Sequence, residues 1–274
     1  MRAKYTRRTN LRFMLWVYFA LAGGFCPITG WVRKRTPYGV YSRKGASSIA
    51  RNSFIQISKL HDVRGRIDYI SSHARQENQK FIQENPDIPV IELDTVEGGR
   101  DNSTQAFLTI FFRNCSLMLI FVLQEKSQDQ VIKVFDYLTE KLGIKVFQEL
   151  FPVILTDNGV EFQFPERLEC DKNGEIRTKI FYCNPNSSWQ KGRIEKNHEY
   201  IRYVIPKSQS LDHYKQRDAC VLMNHINSEA RDSLNGCTPF RLSKMLLNNR
   251  LHRLLCLQEI PGDQVHLKPS LLKK

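Results

Sequence analysis

The run Val153-Ile154-Leu155-Thr156-Asp157-Asn158-Gly159-Val160-Glu161-Phe162 constrains this chain more than any other stretch. An apolar segment that halts on a carboxylate and then turns reads as a buried strand delivering Asp157 to its carboxyl end. Two further acidic landmarks give that aspartate company. Ile91-Glu92-Leu93-Asp94-Thr95-Val96 lies upstream, and Trp189-Gln190-Lys191-Gly192-Arg193-Ile194-Glu195-Lys196-Asn197-His198-Glu199 lies downstream. Carboxylates delivered by three separate elements suggest a metal site suited to phosphodiester chemistry.

The charge balance is compatible with such a substrate. Among 274 residues, 41 Lys and Arg face 28 Asp and Glu, a formal charge of +13, so a polyanion is the natural attractor. Charge alone does not choose between RNA, DNA and an anionic membrane surface. The seven cysteines are scattered, with no CxxC pair and no matching histidine cluster. This argues against a structural zinc module or a disulfide framework and favours reduced thiols in a cytosolic setting.

The first residues pull the other way. Residues 1–12 are basic, residues 13–32 carry no charge, and Ala20-Leu21-Ala22 resembles the end of a secretory signal. The length also approaches that of a membrane span, although Gly23, Gly24, Pro27 and Gly30 would loosen such a helix. A buried segment or a degenerate leader is the favoured reading. Residues 33–60, rich in Arg, Lys and Ser without a sustained period, read as a linker, and residues 73–85 as a short helix ending before Pro86.

From Pro89 onward the elements are clearer. Residues 90–96, 106–112 and 117–123 read as three meandering strands, and Val131, Val134, Phe135, Leu138 and Leu142 recur at helical spacing before Gly143. Residues 153–156 and 180–183 read as two more strands, and residues 191–203 as a helix. Residues 214–233 and 239–247 continue as helices, with Leu242, Met245 and Leu246 assigned to the core. The expected architecture is α/β, a mixed sheet flanked by helices.

That order of elements, with Asp94 on the first strand, Asp157 after the fourth and Glu195 on the later helix, resembles the ribonuclease H-like core of DDE transposases and retroviral-type integrases. The likeness is nearest to transposases of the insertion sequence 30 family, carried also by Phe181-Tyr182-Cys183-Asn184-Pro185 and Leu234-Asn235-Gly236-Cys237-Thr238-Pro239. It implies three regions: a divergent basic and apolar leader and linker over 1–87, a catalytic core over 88–206 and a helical extension over 207–274. Such transposases carry helix-turn-helix modules ahead of the core, and no convincing one is legible in residues 1–87, so a truncated or decayed copy is expected. The interval between Asp157 and Glu195 is longer than usual, the excess being assigned to the polar loop 170–178.

The resemblance implies that Asp94, Asp157 and Glu195 are catalytic and hold Mg²⁺, with Mn²⁺ as a substitute, because hard divalent ions prefer oxygen ligands. It also implies metal-dependent cleavage and strand transfer of duplex DNA, both element ends and target. A homo-oligomer assembled on DNA, a cytoplasmic setting, and no membrane or small-molecule cofactor complete the expectation. Lys191, Arg193, Lys196 and Arg202 surround the third acid and suit a phosphate backbone. A non-catalytic DNA-binding remnant and a ribonuclease H-type nuclease are the alternatives.

Each residue also has an ordinary explanation. Asp94 lies within an apolar run, where an unpaired carboxylate is costly to bury, which favours a role. Asp157 in Asp-Asn-Gly reads equally as a turn residue. Glu195 reads as a helix-surface carboxylate paired with Lys191 four residues earlier. Glu92 shares the strand face of Asp94 by the period of two and is a neighbour of the site rather than a member. Glu161 and Glu199 are weaker substitutes, and His198 alone decides nothing.

Overall fold

The first three strands follow one another along the chain and pair antiparallel. In the computed structural model, which describes residues 81, 84–99, 103–184 and 188–272, they are β1 (Val90–Glu97), β2 (Ala106–Phe112) and β3 (Leu117–Leu123). Asp94 lies opposite Thr109, and Thr109 opposite Ile120. Every residue of β2 and β3 is buried, so both faces of these strands are covered and no polar alternation appears. The segments read above over residues 13–32 and 33–60, and most of the helix over 73–85, lie outside the described residues. Near its expected end, Asn85 N–H donates to Phe81 O just before Pro86.

A parallel neighbour needs a crossover, and helices supply it. Helix α1 (Gln128–Leu142) buries Val131, Val134, Phe135, Leu138 and Leu142 and stops at Gly143, whose φ of 80° suits glycine. A second helix, α2 (Ile144–Leu150), follows at once and was not separated from its surroundings in the sequence reading. The chain then enters β4 (Val153–Thr156), parallel to β1, and after the short α3 (Pro165–Glu169) β5 (Lys179–Tyr182), parallel to β4. The sheet order β3-β2-β1-β4-β5 puts β1 at the centre. This mixed five-stranded sheet flanked by helices is the ribonuclease H-like arrangement.

A 3₁₀ turn, Ser188–Lys191, leads into α4 (Gly192–Val204). The extension then forms α5 (Gln216–Ser228), α6 (Pro239–Leu246) and α7 (Asn249–Leu254). An edge strand leaves backbone groups unpaired, and α5 answers those of β3 with two amides. Gln216 accepts from Val122 N–H at 2.8 Å and donates to Ile120 O at 2.9 Å. Asn227 bonds both the N–H and the carbonyl of Met118, at 2.9 and 2.8 Å. Ile226, Leu251, Leu255 and Leu257 share one hydrophobic core with the sheet. The core assignment of two α6 residues is corrected: Met245 is 77% exposed and Leu246 53%, because only the side of α6 carrying Leu242 packs inward.

The loop after α3 has the turn chemistry its sequence suggests, with Asp171 Oδ1 accepting from Asn173 and Glu175 N–H. Its end is not a surface, however. Arg177 is fully buried between the rings of Phe135 and Phe147, donating to Asp136, Thr139 and the carbonyl of Leu168. Among the described residues no helix is long and apolar enough to cross a membrane.

Candidate active site

Because β1 and β4 are parallel, their carboxyl ends lie side by side. The register pairs Glu92 with Leu155, so the next residues on the same faces, Asp94 and Asp157, come level just where β4 ends. Each aspartate has one oxygen occupied locally. Asp94 Oδ1 accepts from Thr95 N–H at 2.8 Å and Asp157 Oδ1 from Gly159 N–H at 3.0 Å, the second closing the expected Asx turn. Their other oxygens converge on a single cation. Lys191 Nζ lies 3.2 Å from Asp94 Oδ2 and 3.0 Å from Asp157 Oδ2. The Lys191 side chain is 5% exposed, and burial alone would lower its pKa. The Asp94 and Asp157 carboxylates outweigh that effect and hold the ammonium above its ordinary value.

Lys191, Glu195, His198 and Arg202 recur at intervals of four, three and four, which aligns them along one side of α4. Three of them meet the sheet. His198 Nε2 is 2.8 Å from Thr109 Oγ1, and that hydroxyl donates to Asp94 O at 3.0 Å. Having given its one proton to a carbonyl, the hydroxyl must accept from His198, which assigns the proton to Nε2. Burial pulls the His198 pKa down to about 4, against the pull of Asp94, so the ring is neutral near pH 7. Arg202 donates to Glu97 O at 2.8 Å, and burial lowers its pKa. Glu195 is exposed and makes no hydrogen bond or ion pair among the described residues; the surface pair with Lys191 is not formed. Asp94 and Asp157 are therefore brought together, and Glu195 stands on the adjoining stripe without joining them. Among the described residues, no three His, Cys, Asp or Glu side chains gather closely enough to hold a metal ion.

The helix is fastened by Glu92. This carboxylate is fully buried; Oε1 meets Arg113 Nε at 2.5 Å and Oε2 accepts from Ile194 N–H at 2.7 Å. Ile194 lies in the first turn of α4, where N–H groups lack intrahelical partners and the helix dipole favours an anion. Glu92 thus caps from another strand a helix whose own preceding residue, Lys191, cannot. Arg113 extends the clamp by donating to Gln190 O at 2.5 Å.

A second buried acid supports the Asp157 loop. Glu161 is 1% exposed, accepts from Thr95 Oγ1 at 2.7 Å and lies 3.6 Å from Lys126 Nζ, which also contacts Glu97. Its Oε2 has no hydrogen-bond partner among the described residues. A Cβ at Gly159 would stand 2.6 Å from that atom, so the glycine lets the loop close over the carboxylate. Of the basic residues considered for a phosphate backbone, Arg193 and Lys196 are exposed, Lys191 is engaged by the aspartates and Arg202 is partly covered.

No family model matches the chain. Among curated proteins, it is 25% identical over 208 residues to the transposase for insertion sequence element IS4351 of Bacteroides fragilis, covering 76% of this chain and 56% of the relative. It is 26% identical over 176 residues to transposase InsI for insertion sequence element IS30A of Escherichia coli (strain K12), covering 64% and 43% respectively. The chain is thus similar in sequence to transposases of insertion sequence elements. It spans about half the length of these curated relatives. Solved structures similar to the chain include the catalytic core domain of BIV integrase, at 17% identity and a TM-score of 0.39, covering 57% of this chain and 94% of that one. A simian T-cell lymphotropic virus intasome chain gives 12% identity and a TM-score of 0.43, covering 56% and 53%.

Glu92, expected as a neighbour of the site, and Lys191, expected at a phosphate backbone, both have partners that the sequence does not announce. Glu92 carried a signal, the strand face it shares with Asp94, but nothing local announced Ile194 as its partner. Lys191 was read toward Glu195 by helical spacing, whereas it precedes α4 and turns to the aspartates.

Proposed function

We propose that the chain catalyses transposition of an insertion element, cutting and joining DNA strands with Mg²⁺ or Mn²⁺ held by Asp94, Asp157 and Glu195. The observation that carries this reading is the convergence of Asp94 Oδ2 and Asp157 Oδ2 on one positive centre. Two hard carboxylate oxygens aimed at one point, at the carboxyl ends of adjacent parallel strands, fit a divalent ion. When bound, such ions relieve charge on the phosphate and activate the attacking oxygen.

The chain's own residues prepare this arrangement. Thr95 N–H and Gly159 N–H orient the two aspartates. Lys191 holds them together and, once released, is free to meet a phosphate oxygen. Glu195 approaches from α4, whose first turn Glu92 fixes to the sheet. Duplex DNA, as element ends and target, is the substrate, and a homo-oligomer on paired ends is the working form.

A second reading, DNA binding without catalysis, is favoured by the exposure of Glu195 and its separation from the aspartate pair. Incubating the purified chain with a duplex carrying the element's terminal repeat, with Mg²⁺ or with EDTA, separates the two. Nicks at the repeat boundary that require Mg²⁺ support catalysis; binding with no cleavage in either condition supports the second reading.

A further inference from the structure

On the far side of the Glu92 clamp from the aspartates, the β2–β3 turn, α4 and the segment after α5 enclose a cavity of about 570 Å³. Arg113, Arg193, Lys196 and Arg231 line it, against one acid, Asp232. We infer that this cavity is a binding site for a phosphodiester segment of a nucleic-acid backbone, separate from the carboxylate pair.

Arg231 makes the case. It is 7% exposed, yet its hydrogen bonds go to neutral acceptors, the Asn197 side-chain oxygen and Ile226 O. Its guanidinium carbon lies 4.6 Å from the centre of the Tyr200 ring, and Nε has no partner among the described residues. Buried charges are ordinarily paired with a counter-charge, and among the described residues no carboxylate forms an ion pair with this one. Arg193 and Lys196 are exposed at the same cavity, and Arg193 spends one donor on Arg113 O at 3.2 Å. A planar guanidinium backed by two exposed cations matches the oxygens of a phosphate.

Position favours a polymer over a free anion. Thr109 pairs with Asp94, and Arg113 comes four residues later, just past the end of β2, which places the cavity roughly 13 Å along the sheet from the carboxylates. A duplex strand advances about 3.4 Å per nucleotide, so one bound strand would reach both places with roughly four nucleotides between them. This inference rests on the nucleic-acid reading above, and its test is therefore run in EDTA, where cleavage plays no part.

The test is an anisotropy titration of a labelled duplex at several salt concentrations, using the whole chain, Arg193→Ala/Lys196→Ala, Arg231→Gln, and Lys172→Ala/Lys244→Ala as a charge-matched control on exposed residues elsewhere. The first two variants are expected to bind at least about tenfold more weakly at physiological salt, the double variant with a log–log salt slope shallower by about two. The control should stay within about twofold of the whole chain. Should Arg231→Gln fail to fold, the exposed pair decides alone. Equal losses in pocket and control variants, or none in either, would overturn the site. A melting rise with inorganic phosphate that Arg231→Gln abolishes, with duplex affinity unchanged, would mean a free-anion site and overturn the backbone assignment. Absence of Mg²⁺-dependent cleavage by the whole chain, with its duplex binding weakened only in the pocket variants, would count against the proposed function and leave this site standing.

Discussion

Lys191 holds its ammonium 3.0 Å from the Asp157 carboxylate while reaching Asp94 at 3.2 Å, so one buried cation bridges two acids and offsets part of their mutual repulsion. Without it the mostly buried Asp94 and the half-exposed Asp157 lose their shared counter-charge and repel each other. Lys191→Met is expected to lower stability in EDTA by about 1–3 kcal/mol. Added Mn²⁺ or Mg²⁺ should restore more of the melting temperature in the variant than it adds to the original chain. Differential scanning fluorimetry with and without metal reads both effects, and an unchanged metal-free melting point would argue against the ion pairs.

Glu92 couples the central strand to the helix that carries Glu195. Glu92→Ala removes the acceptor for Ile194 N–H and the partner of Arg113, and is expected to cost about 3–5 kcal/mol. Glu92→Gln keeps the shape and one acceptor and should cost less. Urea unfolding of the two variants gives the order directly.

Gly159 faces the unpartnered oxygen of Glu161 with no room for a methyl group. Gly159→Ala should destabilise the chain by about 1–3 kcal/mol through overpacking, and Gly159→Ala/Glu161→Ala should recover part of that loss. A double-mutant cycle in urea measures the coupling; additive costs would mean that the glycine and the acid do not press on each other.

His252 lies buried in α7 with its Nε2 2.9 Å from Ser243 Oγ. Burial first, and the Lys244 charge second, pull its pKa from 6.5 down to about 4. Above about pH 6.5 the ring is neutral whether folded or not and contributes no pH dependence. As pH falls from 6.5 to 4 the unfolded chain takes up the proton first, so stability drops with falling pH, by up to about 3 kcal/mol from this residue. His252→Gln should flatten that part of the stability–pH curve, measured by urea unfolding at a series of pH values.

Apolar patterning found the strands and the first helix because β3 is an uninterrupted apolar run, β2 is broken only by Thr109, and α1 repeats Val131, Val134, Phe135 and Leu138 on one face; the strand order within the sheet was not legible. Asp94 and Asp157 were legible for a related reason: each ends or interrupts an apolar strand, where a carboxylate needs a purpose. Long-range partnerships were not legible. Nothing near Ile194 in the chain points to Glu92, and nothing near Arg231 points to Asn197 or Tyr200. Met245 and Leu246 misled because a short terminal helix such as α6 can leave apolar residues in solvent when only one side meets the core.

Whether Asp157 holds a catalytic metal is decided by comparing cleavage of a terminal-repeat duplex by the original chain and by Asp157→Asn, at equal protein and Mg²⁺ concentrations. The substitution keeps the shape of the side chain and removes a hard anionic ligand. The original chain is expected to cleave in a Mg²⁺-dependent way, and the variant to fall by at least about 10³-fold with little change in melting temperature or duplex affinity. Cleavage by Asp157→Asn at the original rate would contradict that metal-binding role.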